Sequence, residues 1–255
     1  MNAEGMLDYL DSSLFDADVE PDTAIQELSE RDSNWLERVE DEFAAGFRLM
    51  EGRGPCVAVF GSARVRSESP LYQHGRAIGR ELARQGFTVV TGGGPGLMEA
   101  ANRGALEAGG VSIGLGITLN ELEPPNRYTT AAIAFRYFFV RKVMLVKYAT
   151  AFVMLPGGVG TLDELFETLN LIQTKKIVPF PVIMAGSDHW HGLVDWMRSS
   201  LYETRMVNPE TMNLFLLEDD PGEVARTIRH WSDTHDVAAL EQALAMRQPP
   251  RRISA

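Results

Sequence analysis

Several things are scarce or missing in this sequence. No lysine or arginine precedes position 31, and Cys56 is the single cysteine among 255 residues. One thiol forms no internal disulfide and builds no cysteine zinc cluster, which suits a reducing, cytoplasmic setting. No apolar run nears the ~18 residues of a membrane span, and the opening segment does not read as a signal peptide. There is no Gly-x-Ser-x-Gly elbow and no Walker A lysine, so neither serine hydrolysis nor an ordinary NTP site has support. Five histidines are present, but His189 and His191 flank Trp190 without a third ligand nearby. No metal and no cofactor are therefore expected.

Positive charge is missing from one region in particular. Residues 1–50 hold 14 acidic and 3 basic side chains, which accounts for the whole formal net charge of -11. Residues 51–255 hold 21 of each and are formally neutral. Nucleic-acid surfaces need clustered Lys and Arg, so no nucleic-acid partner is expected. A local pocket of arginines and backbone N–H groups can still hold one small anion.

What is present alternates. The first ~20 residues are acidic, weakly periodic and candidates for disorder. From Thr23, Ile25, Leu28, Trp35, Leu36, Val39, Phe43 and Phe47 take up helical spacing, predicting one or two helices that cover the body or act as an arm. Residues 1–50 are expected to form an acidic, partly disordered helical extension, 51–236 a Rossmann-like domain and 237–255 a polar tail. Within the domain, strands are expected at 57–60, 87–91, 111–115, 129–135, 152–155, 181–184 and 214–217. Helices are expected at 71–84, 95–108, 137–148, 162–174, 190–200 and 222–231, with a loop over 120–128. The repeated βα order predicts an α/β fold: a Rossmann-like doubly wound parallel sheet with helices on both faces.

Ligands of such sheets lie at the carboxyl ends of the strands, where helix N-termini expose N–H groups. Three small-residue turns fall there. Gly61-Ser62-Ala63-Arg64 is either a ligand turn or merely a tight one. In Thr91-Gly92-Gly93-Gly94-Pro95-Gly96-Leu97-Met98-Glu99 the glycines permit close approach of a phosphate or sugar. Glu99 either faces that pocket or caps free N–H groups. In Pro156-Gly157-Gly158-Val159-Gly160-Thr161-Leu162-Asp163-Glu164 the turn can aim N–H groups at an anion beside the Thr161 hydroxyl. Asp163 and Glu164 are placed in the first helical turn, roughly 100° apart, where the dipole favours their ionised forms. Arg141 and Lys142 are adjacent and diverge, so that one points inward while the other meets water. A guanidinium there suits phosphate or carboxylate.

The Gly92–Glu99 run, the Pro156–Glu164 run and Arg141-Lys142 between them resemble the LOG ("Lonely guy") family of phosphoribohydrolases, often labelled lysine decarboxylase-like. The likeness spans about residues 54–231. It implies hydrolysis of the N-glycosidic bond of a nucleoside 5'-monophosphate, such as AMP or a cytokinin riboside 5'-monophosphate, to free base and ribose 5-phosphate. It further implies Arg141 and Glu164 as the catalytic pair. Ser62, Gly93, Gly94, Gly96, Glu99, Lys142, Gly157, Gly158, Gly160 and Thr161 would bind substrate. A homodimer or higher homo-oligomer is implied as well. Two departures from the short plant form, Phe138-Phe139-Val140 before the arginine and the acidic extension, resemble a longer bacterial branch. No pyridoxal-binding lysine arrangement supports the decarboxylase label. A non-catalytic purine-nucleotide sensor and a structural assembly protein are the alternatives at this point.

Overall fold

A computed structural model describes residues 30–118 and 124–234 of the chain. The acidic first ~20 residues, the start of the expected helical extension, part of the 120–128 loop and the 237–255 tail lie outside them.

The described chain opens with helix α1 (Glu30–Met50). The sheet elements and their crossovers follow as β1 (Cys56–Phe60), α2 (Pro70–Arg84), β2 (Thr88–Thr91), α3 (Leu97–Glu107) and β3 (Ser112–Ile117). After these come β4 (Ala131–Phe135), α4 (Phe138–Lys147), β5 (Ala149–Met154) and α5 (Val159–Gln173). The last elements are β6 (Val182–Met184), α6 (Ser187–Trp196), β7 (Leu216–Leu217) and α7 (Pro221–Thr234). The seven strands order as β4-β3-β2-β1-β5-β6-β7, and every pairing is parallel. This is the doubly wound sheet, with helices on both faces. Helices α2, α3 and α7 pack together on one side, whereas α1 lies on α4.

The sheet centre is apolar because both faces are covered. Every residue of β1 and β5 is buried. Phe152 packs between Phe60 and Phe180 in tilted contacts, with ring centroids 4.9 and 5.1 Å away. Burying one such ring contributes roughly 1.5–3 kcal/mol.

Strand order reverses between β1 and β5, which is where a crevice opens in such sheets. Phe60 pairs with Met154 at the last rung, so the turns after β1 and β5 start side by side. Three elements start three residues earlier than expected. Strand β5 starts at Ala149, because Ala149-Thr150-Ala151 continues the buried ladder against β1. Helix α6 starts at Ser187 after a left-handed Gly186 and runs into a π-helical stretch, Met197–Tyr202. Helix α5 starts at Val159, not Leu162: Thr161 and Leu162 N–H both fold back onto the Gly158 carbonyl. Asp163 and Glu164 therefore stand in its second turn.

Candidate active site

The three turns form one piece. Ser62 N–H donates to the Pro156 carbonyl at 3.0 Å, and Leu97 N–H donates to the Ser62 carbonyl at 2.9 Å. The Ser62 hydroxyl accepts from Arg64 N–H at 3.1 Å, closing its own turn. Gly96 is obligatory at this junction. Its φ of +69° is left-handed, and an added Cβ would stand 2.4 Å from the Ser62 carbonyl oxygen.

The turn after β2 is fastened from below and from the side. Gly93 N–H donates to the Thr91 hydroxyl, which itself donates to Asn102 Oδ1 at 2.7 Å. The Asn126 amide donates to the Gly93 and Gly94 carbonyls, both at 3.1 Å, and to Asn102 Oδ1 at 2.9 Å. Asn126 N–H adds a bond to the Gly93 carbonyl at 2.8 Å. Asn102 and Asn126 carried no clear sequence signal. One sits in a helix and the other in a loop, and only the fold makes them a rivet. Glu99 accepts a 2.7 Å bond from the hydroxyl of Tyr72, whose ring is buried. Burial, then the hydrogen bond to Glu99, pushes that phenol up to about 12. Glu99 is thus held by a neighbouring helix rather than capping its own.

The turn after β5 is built differently. Helix α5 has Gly158 at its cap and no side-chain capping bond. The N–H groups of Val159 and Gly160 have no acceptor within the helix, as its geometry dictates. Gly158, Val159 and Gly160 are exposed, whereas Thr161 is buried. Gly157 admits the Thr161 side chain: a Cβ there would lie 2.1 Å from the threonine Oγ1. His189 Nε2 lies 3.2 Å from the Gly157 carbonyl, a contact that histidine spacing alone did not indicate.

Arg141 on α4 meets Glu164 on α5. Nη2 of the arginine donates to Glu164 Oε1 at 3.3 Å, and the side chains are 17% and 3% exposed. Each partner keeps one buried polar atom without a hydrogen bond, Arg141 Nε and Glu164 Oε2. Such orphans cost about 1–3 kcal/mol apiece and leave each partner one open hydrogen-bonding position. The Arg141 guanidinium also lies 5.2 Å from the Phe138 ring centre.

The expectation that the helix dipole keeps Glu164 ionised is corrected. The dipole acts within the first turn, and Glu164 lies beyond it. Desolvation dominates and pushes its carboxyl up to about 7. Arg141 and Lys142 pull it down, while Glu167 and Asp163 add to the rise. Lys142 does not point to water either. Its ammonium pairs with Asp163 at 2.8 Å and Glu167 at 2.9 Å, tying α4 to α5 beside the catalytic candidates. Burial works to lower its proton affinity, but these two bonds outweigh it and raise it. As predicted, Asp163 and Glu164 diverge, one exposed on Lys142 and one buried on Arg141.

Cys56 is buried, and desolvation pushes its thiol up to about 12, so it stays protonated. A cavity of about 430 Å³ lined by Tyr202, Glu203, Arg205, Val207, Asn208 and Pro209 contains none of the site candidates. No helix among the described residues is long and apolar enough to cross a membrane.

Residues 98–228 match the family described as "Possible lysine decarboxylase". A cytokinin riboside 5'-monophosphate phosphoribohydrolase of Mycobacterium tuberculosis is 30% identical over 175 residues, covering 67% of this chain and 91% of that protein. The chain belongs to the LOG family. Another relative, the pyrimidine/purine nucleotide 5'-monophosphate nucleosidase of Escherichia coli, is 28% identical over 71% of this chain. Only 42% of that longer protein is covered. Among solved structures, the structural genomics target TM1055 aligns with TM-score 0.53 and 25% identity over 69% of this chain and 99% of its own. The molybdenum cofactor binding protein of Rippkaea orientalis aligns with TM-score 0.52 and 20% identity, over 71% and 98%. At that identity it speaks for the shared fold alone.

Proposed function

We propose that this LOG-family chain hydrolyses the N-glycosidic bond of a nucleoside 5'-monophosphate, AMP or a cytokinin riboside 5'-monophosphate, releasing free base and ribose 5-phosphate. The observation that carries the reading is Glu164, a buried carboxylate paired through one oxygen only, beside an open helix N-terminus. The named activities of the Mycobacterium tuberculosis and Escherichia coli relatives support the same reaction class.

Each group has a task that follows from its surroundings. Open N–H groups at Val159 and Gly160, with the Thr161 hydroxyl, suit a 5'-phosphate. The riveted Gly92–Gly96 turn gives the sugar a fixed wall, and Glu99 offers its second oxygen to a ribose hydroxyl. Ser62 lies at the join of the turns, within reach of the nucleotide. The C1'–N bond breaks with its electron pair leaving on the base. The sugar then gains positive charge, and ionised Glu164 opposes it or positions the water that attacks C1'. Arg141 steadies the anionic substrate through its guanidinium fork, while Lys142 braces α4 on α5. The reaction consumes one water, and the leaving base takes up a proton. Proton affinity near neutrality suits a group that accepts and returns a proton each cycle.

Phe138 and Phe139 at the start of α4 and Val159 on α5 are exposed. A second copy of the chain would cover them, as the family likeness implies.

A panel of nucleoside monophosphates, with base and ribose 5-phosphate measured together, tests the function. Equimolar release of both from at least one purine monophosphate is expected. Saturable binding with no release would support the sensor reading instead.

A further inference from the structure

The helix that carries Arg141 has no cap of its own. Tyr137, the residue before α4, makes no side-chain capping bond. The acceptors come instead from α1, more than ninety positions earlier. Glu42 Oε1 accepts from Arg136 N–H at 2.8 Å, and Oε2 accepts from Tyr137 N–H at 3.2 Å. A carboxylate there also meets the positive end of the α4 dipole. The clamp reaches Arg141 by one further bond, since the Tyr137 carbonyl accepts from Arg141 N–H at 3.2 Å.

Further contacts line the two helices up. The Trp35 ring meets Tyr137 edge-on at 5.7 Å and lies 5.9 Å from Phe139. Arg38 Nε approaches the Tyr137 hydroxyl at 3.5 Å. Gly46 lets α1 sit flush on Met144, where an added Cβ would come within 2.9 Å of the thioether methyl. Lys147, at the far end of α4, stands 5.5 Å from the Phe47 ring centre.

We propose that Glu42 is a positioning residue for the reaction: by capping α4 from α1 it fixes where Arg141 meets Glu164. The acidic extension then contributes a splint for the active-site arginine. This rests on the hydrolytic reading above.

The test compares full-length wild type, Glu42→Ala and Glu42→Gln for base release from AMP across pH. Glu42→Ala should fold and show a roughly tenfold lower kcat with KM changed by less than about threefold, since small displacements of a reacting group are costly. The groups facing Glu164 are Arg141 and Lys142 from α4, and Asp163 and Glu167 from α5. When Arg141 draws back, the acid limb of kcat should move to higher pH. Glu42→Gln, which keeps one carbonyl acceptor, should recover part of both changes. An unchanged kcat and acid limb in folded Glu42→Ala overturns the proposal. So does a loss of kcat without a shift in pH or rescue by glutamine. If Glu42→Ala does not fold, Gly46→Leu, which lifts α1 from Met144, must give the same shift. Wild type that releases no base removes the hydrolytic reading, and the splint with it; active wild type beside an unaffected variant removes only the splint.

Discussion

Two glutamates, one ringed by three arginines and one paired with a single arginine, meet opposite fates. Glu107 at the end of α3 accepts from Arg76 Nε at 2.6 Å and Nη2 at 2.8 Å, from Arg80 at 3.2 Å and from Arg103 at 2.9 Å. Its side chain is 30% exposed, and the Arg76 bonds lead in holding the carboxyl down at about 2. Glu164 is buried, has one long bond to Arg141 and keeps an oxygen free. A carboxylate with every lone pair answered is fixed in its charged form and serves the fold. One that is desolvated and half answered sits near neutrality, the range that proton-transfer chemistry requires.

That contrast breaks most visibly in activity. Glu164→Gln should fold and lose on the order of a hundredfold in base release at pH 8, the usual cost of removing a charge-stabilising contact. Glu107→Gln should stay within about twofold of wild type, because its arginines face another helix pair. Parallel rate measurements on the two variants decide this.

The next effect is in stability, and its sign follows from proton binding. Folded Glu164 holds its proton up to about 7, whereas an unfolded glutamate releases it near 4.3. The folded state binds more protons between those values, so stability falls as pH rises through the window and levels off above it. Relative to Glu164→Gln, wild type should lose on the order of 3 kcal/mol between pH 4 and pH 8, read by urea unfolding at each pH. Glu107 behaves oppositely and more weakly. Its contribution is present above the ordinary carboxylate range and is lost as pH falls toward 2. Glu107→Gln should cost about 1 kcal/mol at pH 7, since its cluster is partly solvated. A Glu164→Gln variant with the same pH slope as wild type would erase the distinction.

Much of this was legible in the residues. Alternation of apolar strands with helices fixed the sheet, and strand-end glycines marked the turns at the β1–β5 reversal. Local pattern also separated Asp163 from Glu164. It failed where partners come from afar. Lys142 turns from water because Asp163 and Glu167 stand on a helix that sequence spacing cannot orient. Glu42 reaches α4 across more than ninety residues, and Asn126 finds Gly93 only once β3 has paired with β2. The proton affinity of Glu164 departs from its helix position for a related reason: helix position is local, but burial is set by the whole core.

The most direct measurement is the ratio of wild-type to Glu164→Gln rates of base and ribose 5-phosphate release from AMP, followed from pH 5 to pH 8. An ionised Glu164 predicts a ratio on the order of a hundred above pH 7, shrinking toward one at pH 5 as the carboxyl gains its proton and comes to resemble the amide. A ratio near one at pH 8, or a large ratio that does not change with pH, contradicts the assignment.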